Sequence, residues 1–376
     1  MIAAIAKSQT EKLAKSVTSP KKFIVGKGIL KNVSDYILPL GDNAYFICDE
    51  FIYERAKDEA GASFKEAGGK ATFEKFNYEC SEQEISRNRK LAQACKANVI
   101  VGIGGGKTLD TAKAAAYYEK LPVVIYPTIA STDAPCTSLA VVYTPEGQFD
   151  HYLDLPSNPD MVVADTEILS AAPVRFFIAG VGDGLTTYFE ARACYRANGI
   201  NLAAMKPSLV GVGLAKLCYD TIRRNALPAK HAVEKKLSTT AVEATIEATI
   251  YLSGVGAESG GLAAAHAIHN GMTAVPALHR VQHGEKVTFG LLAQLVLENA
   301  PLEEMEDLIK FMKKIGLPLT LKDLGVDQFI DSQWRKVAEM ACAEGDTMGN
   351  MPFEVTPDDV FNAIVTADAI AESYHD

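Results

Sequence analysis

The sequence lacks the features that mark membrane, secreted and nucleic-acid-binding proteins. Among its 376 residues, the opening apolar run, Met1 to Ala6, is too short for a membrane span or for a signal-peptide core of about 7 to 15 residues. Basic residues form no tract longer than a pair after the first turns, and 37 Lys and Arg against 47 Asp and Glu give a net charge of −10. A protein that binds a phosphate backbone needs the opposite balance. We therefore predict neither a membrane nor a nucleic-acid partner.

Cysteines are few, and no two of them form a C-x-x-C pair. There are seven, an odd number, and they are scattered along the chain: Cys48, Cys80, Cys95, Cys136, Cys194, Cys218 and Cys342. This pattern is typical of reduced, mostly buried thiols, and we predict a cytoplasmic protein. Residues 1–21 are rich in lysine with one acid, Glu11, which leaves an organellar address as the alternative. Because this segment has no arginine, we expect a loose N-terminal extension.

The length and the pattern of apolar residues predict two domains. Hydrophobic residues make up 48% and charged residues 22% of the chain, as in globular proteins, and 376 residues exceed one ordinary compact core. Over residues 1–171, short apolar runs alternate with amphipathic stretches, which indicates βαβ units and an α/β domain with a parallel sheet. The predicted strands are Phe23 to Val25, Ala44 to Cys48, Ala71 to Phe76, Val99 to Ile103 and Val123 to Tyr126.

Three local signals refine this outline. Ser81, with Glu84 three residues on, predicts a capping box that opens a helix ending near Lys96. Thr144 to Gly147 interrupts an alternating segment and predicts a β-hairpin around it. After Pro173 the strand signals stop, so we predict an all-helical second domain, residues 172–376. Its clearest predicted helices are Ser238 to Leu252, Val287 to Glu298 and Glu303 to Ile315.

A run of three glycines follows the strand that begins at Val99. Gly104 to Gly106 lead directly into a predicted helix, Leu109 to Tyr118, an arrangement that can bind a phosphate through backbone N–H groups and the helix N-terminus. The loop fits neither standard phosphate-binding pattern: a Walker A loop needs glycine where Val101 stands, and a G-x-G-x-x-G loop needs glycine where Lys107 stands. A tight strand-to-helix turn is the structural alternative.

Asp49, directly after the strand that ends at Cys48, is placed like the acid that bonds an adenosine ribose in dinucleotide-binding sheets. An acid after a strand is also a common helix cap, and the sequence leaves both interpretations open.

Four of the seven histidines lie within eighteen residues: His266, His269, His279 and His283. Their spacing is not H-E-x-x-H, which excludes a zincin protease. Asp183 is a carboxylate between two glycines in an apolar context. Two imidazoles and one carboxylate with an open fourth position are the expected ligands of a catalytic Zn²⁺ ion. Satisfied core or surface histidines, and Asp183 as a helix N-cap, are the alternatives.

Several long motifs together resemble the glycerol dehydrogenases, the zinc-dependent, NAD-linked branch of the iron-containing alcohol dehydrogenase superfamily. The matching segments are Gly102 to Lys113, Pro127 to Cys136, Gly182 to Leu185, Ser259 to Asn270 and His283 to Lys286. The resemblance covers the chain from about Lys22 onward. It implies a Rossmann-like N-terminal domain, an all-helical C-terminal domain, and an active site in the cleft between them. It further implies NAD and one Zn²⁺ per chain as cofactors, and a homo-oligomer that is commonly an octamer.

The resemblance also assigns residues to the site. The implied metal ligands are Asp183, His266 and His283. The implied contacts of the pyrophosphate loop are Gly106, Lys107 and Asp110, with Asp49 on the adenosine ribose. The residues that match the lining of the adenine and nicotinamide sites are Thr128, Ser131, Thr137, Leu139 and Tyr143. Iron-dependent members have a fourth ligand, a histidine four residues after the aspartate, where this sequence has Thr187. This difference favours zinc.

The implied activity is the oxidation of glycerol, or a related vicinal diol, to dihydroxyacetone or its counterpart by hydride transfer to NAD⁺. Asp133 matches a residue that faces the bound polyol, although a lone acid in such a segment is also a common Asx-turn or helix-capping residue. His269 is the candidate proton acceptor, with solvent as the alternative.

Three other functions compete with this one. Glycerol-1-phosphate dehydrogenase and dehydroquinate synthase share the scaffold, but both need basic residues to hold an anionic substrate. The substrate-side segments Ala130 to Leu139 and Ala264 to Thr273 contain no Lys or Arg, whereas Arg280 and Lys286 nearby keep this alternative open. A non-catalytic sensor on the same scaffold is the alternative from another class.

Overall fold

The computed structural model describes residues 14–374, and the first part of this range is built on strands. The strands are β1 (Phe23–Gly26), β2 (Asn43–Cys48), β3 (Lys70–Lys75), β4 (Val99–Gly104), β5 (Val123–Pro127), β6 (Leu139–Tyr143), β7 (Phe149–Asp154) and β8 (Met161–Asp165). Six of them form a fully parallel sheet in the order β1-β8-β5-β4-β2-β3, and β6 pairs with β7 in an antiparallel hairpin.

The five predicted strands of the sheet are confirmed, each within one residue at either end. The hairpin is confirmed as well, and Gly147 in its turn has φ +83°, a conformation that favours glycine. The strand β8 was not predicted from the sequence. Its five residues are all buried between β1 and β5, and the next residue, Thr166, already begins a helix. An apolar run that leads into a helix without turn residues cannot be told from part of that helix by periodicity.

Five helices accompany the sheet. They are α1 (Ser34–Ile37), α2 (Glu50–Glu66), α3 (Glu82–Ala94), α4 (Gly106–Glu119) and α5 (Thr166–Ala171), with 3₁₀ turns at Ile29–Asn32 and Ala134–Cys136. Half of the predicted capping box forms at the start of α3. The Ser81 hydroxyl accepts a hydrogen bond from the Glu84 backbone N–H (3.3 Å), but the Glu84 carboxylate accepts one from the Asn77 N–H instead of reaching back to Ser81.

The remainder of the described chain is helical, as predicted. Its helices are α6 (Val174–Arg196), α7 (Leu209–Glu234), α8 (Thr240–Ile246), α9 (Ser253–Gly260), α10 (Ala264–Met272), α11 (His283–Leu297), α12 (Leu302–Ile315), α13 (Asp331–Ala341) and α14 (Pro357–Glu372), with 3₁₀ turns at Pro276–Leu278 and Thr347–Asn350. The predicted helix Ser238 to Leu252 is confirmed from Thr240 onward, but its second half is not a regular α-helix. There α8 runs into a π-helical turn, Glu247–Leu252, and the chain continues directly into α9.

The sheet order determines where a ligand can bind. The strands β2 and β4 are neighbours, and the connection leaving β2 runs to β3 on one side whereas the connection leaving β4 runs to β5 on the other. At such a switch point a crevice opens beyond the carboxyl ends of the two adjacent strands. Asp49 follows β2 and the glycine run follows β4, and therefore both lie at this crevice.

The described N-terminal residues are bonded to the helical part. The Ser16 N–H donates to the Lys206 carbonyl (3.4 Å), and the Thr18 N–H donates to the Ser259 hydroxyl (3.2 Å). Residues 1–13 of the expected loose extension lie outside the described residues. The predicted domain boundary after residue 171 coincides with the end of α5 and stays a prediction. Across residues 14–374, no helix has the length and apolar character needed to cross a membrane.

Candidate functional site

The Asp49 side chain bonds to the glycine run and does not cap α2, the helix that follows Asp49. Its side chain makes no capping bond to α2. Instead, one carboxylate oxygen accepts a hydrogen bond from the Gly105 N–H (2.7 Å) and the other accepts one from the Thr108 hydroxyl. A Cβ at Gly104 would lie 2.6 Å from the Asp49 carboxyl carbon, so only glycine allows this approach. Burial raises the pKa of Asp49, and the two hydrogen bonds oppose this effect.

A cavity of about 560 Å³ opens above the glycine run. The residues that line it are Asp49, Glu50, Phe51, Phe76, Tyr78, Gly105, Gly106, Lys107 and Thr108. Gly106 is the first residue of α4, and a Cβ there would meet nothing within 4 Å, so the N-terminus of this helix faces open space. A helix N-terminus with free N–H groups favours an anion such as pyrophosphate. Three of the predicted cofactor contacts, at positions 49, 106 and 107, thus line one cavity.

Lys107 is engaged in this structure. Its ammonium lies 2.6 Å from a Glu79 carboxylate oxygen and 4.9 Å from the centre of the Tyr143 ring. Burial raises the pKa of Tyr143 to about 12. The predicted contacts at 107 and 143 are therefore neighbours, and Glu79 is a partner of this group that the sequence did not indicate.

Asp110 is not among the residues that line the cavity. It is buried, and its carboxylate accepts hydrogen bonds from the Val141 N–H (3.1 Å) and from Lys113 (3.3 Å). Lys113 also donates to the backbone carbonyls of Ala134 (2.7 Å) and Leu139 (2.9 Å). The buried Asp110–Lys113 pair therefore connects α4 to the hairpin and to the 3₁₀ turn Ala134–Cys136. Direct contact of Asp110 with a cofactor stays a prediction.

The other predicted cofactor contacts follow β5. The Thr128 N–H donates to the Gly104 carbonyl (3.0 Å), and no described group bonds the buried Thr128 hydroxyl. Ser131 is half-buried in the same loop, and the buried Thr137 bonds through its hydroxyl to the 3₁₀ turn. An unpartnered buried hydroxyl is costly, so Thr128 is the member of this group that most needs a ligand.

Asp183 lies in the middle of α6, so its interpretation as a helix N-cap is wrong. Glycines near Asp183 allow neighbouring backbone segments to approach α6 closely. A Cβ at Gly180 would overlap the Ala130 carbonyl oxygen, and a Cβ at Gly284, in the first turn of α11, would overlap the Ala179 carbonyl oxygen. Two elements therefore contact α6 at backbone distance, and Asp183 is almost fully buried between them.

Asp183, His266 and His283 converge on one point. Asp183 Oδ1 lies 3.3 Å from His283 Nε2 and 3.7 Å from His266 Nε2, and the two imidazole nitrogens are 3.3 Å apart. Their potential ligand atoms all lie within 4.8 Å of one another. Asp183 Oδ1 is buried and makes no hydrogen bond. A buried carboxylate oxygen without a partner, facing two imidazole nitrogens, fits a metal ion held by these three residues.

Neighbouring charges shift the pKa values of Asp183 and His266 in opposite directions. Burial alone would raise the pKa of Asp183, but the neighbouring imidazoles of His283 and His266 outweigh burial and hold the pKa below its usual value. Burial likewise opposes protonation of His266, but the adjacent carboxylate of Glu190 raises the pKa of His266 to about 9.

The second ring nitrogen of His266 and that of His283 also have partners. His266 Nδ1 lies 2.5 Å from a carboxylate oxygen of Glu190, and His283 Nδ1 lies 3.2 Å from His269 Nε2. His269 Nδ1 is in turn 3.2 Å from the Asn270 side-chain oxygen. Both nitrogens of His269 therefore have partners. Its predicted function as proton acceptor stays a prediction, and no free ring nitrogen supports it. His279 is exposed, bonds to the Thr273 carbonyl and lies outside this group.

Asp133 lies beside the three convergent residues. Its carboxylate accepts a hydrogen bond from the Ser253 hydroxyl (2.8 Å), and its backbone N–H donates to Asp183 Oδ2 (3.2 Å). It makes no capping bond to the 3₁₀ turn that follows it, so the helix-capping interpretation is wrong. Burial, followed by the negative charge of Asp183, raises the pKa of Asp133 to about 7. A carboxylate in this position can accept a hydrogen bond from a substrate hydroxyl.

Thr187 occupies the position where the iron-dependent proteins have a histidine. It is buried one turn beyond Asp183, and its hydroxyl is 2.7 Å from the Ser253 hydroxyl. The chain of bonds from Thr187 through Ser253 to Asp133 was not predicted. Within residues 14–374, the only group of three or more potential metal ligands is Asp183, His266 and His283.

Known proteins resemble this chain over nearly its whole length. Residues 20–166 match the family model described as iron-containing alcohol dehydrogenase. A glycerol dehydrogenase of Escherichia coli O6:H1 is 48% identical over 95% of this chain and 98% of its own length. A glycolaldehyde reductase of Halobacterium salinarum is 41% identical over 95% of this chain and 98% of its own. The crystal structure of a glycerol dehydrogenase from Schizosaccharomyces pombe superposes with a TM-score of 0.91 at 36% identity, covering 96% of this chain and 92% of that one.

Proposed function

Because the chain belongs to the iron-containing alcohol dehydrogenase family, we propose that it is an NAD-dependent enzyme that oxidises glycerol to dihydroxyacetone at a zinc ion. The observation that carries this proposal is the convergence of Asp183, His266 and His283 around a buried carboxylate oxygen without a hydrogen-bond partner, next to Asp133. The cavity over the glycine run lies at the switch point of the same sheet, where the family's cofactor would bind.

Zinc is the metal that this ligand set favours. Two imidazoles and one carboxylate leave a tetrahedral ion one open position, as catalytic zinc requires. Thr187 stands where a fourth, histidine ligand would be needed for iron, and its hydroxyl is bonded to Ser253. Bound there, zinc would supply a Lewis acid that lowers the pKa of a substrate hydroxyl, and NAD⁺ would accept the hydride.

The residues of the chain would bind and orient the polyol. The Asp133 carboxylate, fixed by the Ser253 hydroxyl, would accept a hydrogen bond from a hydroxyl next to the reacting carbon. The segments Ala130 to Leu139 and Ala264 to Thr273, which contain Asp133 and His266, have no Lys or Arg. An uncharged polyol therefore suits the site better than a phosphorylated one.

A second candidate substrate is a 2-hydroxyaldehyde. The relative named glycolaldehyde reductase shares 41% identity with this chain, and reduction of such an aldehyde uses the same contacts in the opposite direction. Ethylene glycol, the product of that reduction, lacks one hydroxymethyl group of glycerol, and a single methylene in a pocket changes discrimination by only about 1 to 3 kcal/mol.

The direct test is a steady-state assay after metal analysis. Purified protein is assayed with glycerol, 1,2-propanediol, 2,3-butanediol and glycerol 1-phosphate with NAD⁺ or NADP⁺, and with glycolaldehyde and NADH. We expect about one zinc per chain and NADH formation with glycerol exceeding that with glycerol 1-phosphate. Absence of NADH formation with every diol would overturn the proposal and favour the sensor alternative.

We also propose a cytoplasmic homo-oligomer, with the octamer as the first assembly to test by light scattering. The seven cysteines are all free in the structure, which suits a reducing compartment. We further propose that the cofactor-binding unit ends near residue 171 and that residues 172–376 form the metal- and substrate-binding unit.

A further inference from the structure

Glu190 is a buried carboxylate with three hydrogen-bond partners near the metal ligands. It lies on α6 two turns after Asp183, on the same side of the helix, and is fully buried. One oxygen accepts hydrogen bonds from the backbone N–H groups of Ala263 (2.8 Å) and His266 (2.9 Å). The other lies 2.5 Å from His266 Nδ1.

The third contact determines which nitrogen of His266 can bind a metal. The two other partners of Glu190 are backbone N–H donors, which a carboxylate accepts. A carboxylate has no hydrogen to donate, so the proton in the contact with His266 lies on Nδ1. A neutral imidazole with its proton on Nδ1 has a lone pair on Nε2. Nε2 is the atom that faces Asp183 and His283.

We propose that Glu190 is a positioning residue that fixes the orientation and the tautomer of His266 so that its Nε2 lone pair points at the metal. The assignment rests on the proposed function, in which His266 is a metal ligand. Carboxylates that accept from the second nitrogen of a ligating histidine raise its basicity, and their loss typically weakens metal binding by about 10 to 100-fold.

The two other bonds of Glu190 give it a structural function as well, because they satisfy N–H groups at the start of α10. The substitution Glu190→Gln separates the two functions. The glutamine oxygen can still accept from both backbone groups, but its NH₂ group then faces Nδ1. A donor in that position favours the other tautomer, in which Nε2 carries the proton and cannot bind a metal.

The experiment measures zinc affinity of metal-free protein by competition with a chromophoric chelator, alongside the melting temperature of the metal-free protein. For Glu190→Gln we expect an affinity about 10 to 100-fold below wild type, with a melting temperature close to wild type. Glu190→Asp keeps the charge but is one methylene shorter, so an intermediate loss is expected. The matched control is Glu84→Gln, which changes a buried carboxylate bonded to Asn77, Arg87 and Asn88, away from the metal ligands. Its zinc affinity should equal that of wild type.

The outcomes separate this inference from the proposed function. If wild type binds zinc and both Glu190 variants bind it within about twofold of wild type, the positioning function is refuted while the enzyme assignment stands. An equal loss of zinc affinity in Glu84→Gln also refutes it, because the loss would then follow from removing any buried charge. If wild type binds no zinc, the proposed function fails, and the assignment of Glu190 fails with it.

Discussion

Substitution of Asp133 by asparagine should weaken the reaction with glycerol and leave the rest of the site intact. The amide oxygen can still accept the hydrogen bond from the Ser253 hydroxyl, and the backbone N–H that donates to Asp183 is unchanged. At an assay pH above the Asp133 pKa of about 7, the substitution therefore removes the negative charge and one acceptor for a substrate hydroxyl. It changes none of the convergent residues Asp183, His266 and His283 and no residue that lines the cavity over the glycine run.

The expected magnitude follows from the kind of bond that is lost. A hydrogen bond to a charged group contributes about 1.5 to 3 kcal/mol. At about 1.4 kcal/mol per factor of ten, kcat/KM for glycerol should fall roughly 10 to 150-fold. The assay is steady-state NADH formation with glycerol varied at saturating NAD⁺. Zinc content and the dissociation constant for NAD⁺ are measured on the same preparation and should match wild type.

Asp150→Asn provides the matched control, because Asp150 is an exposed acid on the hairpin in the same part of the chain. Its kcat/KM should stay within about twofold of wild type, as is usual for surface substitutions. A parallel loss of melting temperature, NAD⁺ affinity and activity in Asp133→Asn would refute the reasoning. Asp133 would then be a structural residue of its loop and not a substrate contact.

Three further predictions concern the metal and the cofactor. Removal of zinc by a chelator should abolish activity while the circular dichroism spectrum is retained, and a loss of helical signal would contradict this. His266→Ala should lose zinc and turnover, whereas His279→Ala should retain both, because His279 is exposed and bonds only a backbone carbonyl; metal analysis of both variants is the measurement. The wild type should prefer NAD⁺ over NADP⁺ in kcat/KM, since the Asp49 carboxylate would repel a 2′-phosphate, and equal efficiency with the two cofactors would remove that assignment.

Local patterns predicted most of the sheet but not the bonds around the metal site. Alternating or continuous apolar runs identified β1 to β5, whereas β8 leads into α5 without a turn and was not separated from it. The density of histidines identified His266 and His283, but it could not show that His279 points to solvent. Glu190 could have been inferred from its spacing of seven residues after Asp183, which places both on one side of a helix. That inference needed the position of Asp183 within α6, and the sequence allowed it to be a cap instead.

Contacts between residues far apart in the sequence could not be predicted, for a different reason. Ser253 meets Asp133 across 120 positions, and no periodicity in either segment specifies which side of α9 faces the loop. The same holds for Glu258, which accepts hydrogen bonds from the Ser138 N–H (2.9 Å) and hydroxyl. Only the packing of the helices against the sheet brings these groups together.

The π-helical turn Glu247–Leu252 sets the rotation of α9, which follows it without a break. A π turn accommodates one more residue than an α turn, and each residue of an α-helix advances by about 100° around the axis. Deleting one residue from this turn would restore a regular helix and swing Ser253 and Glu258 by about 100°, away from Asp133 and Ser138. The extra residue therefore rotates α9 so that Ser253 and Glu258 face the loop that contains Asp133 and Ser138. A single-residue deletion here should break the hydrogen bonds between α9 and that loop, although it removes no side chain of the site itself.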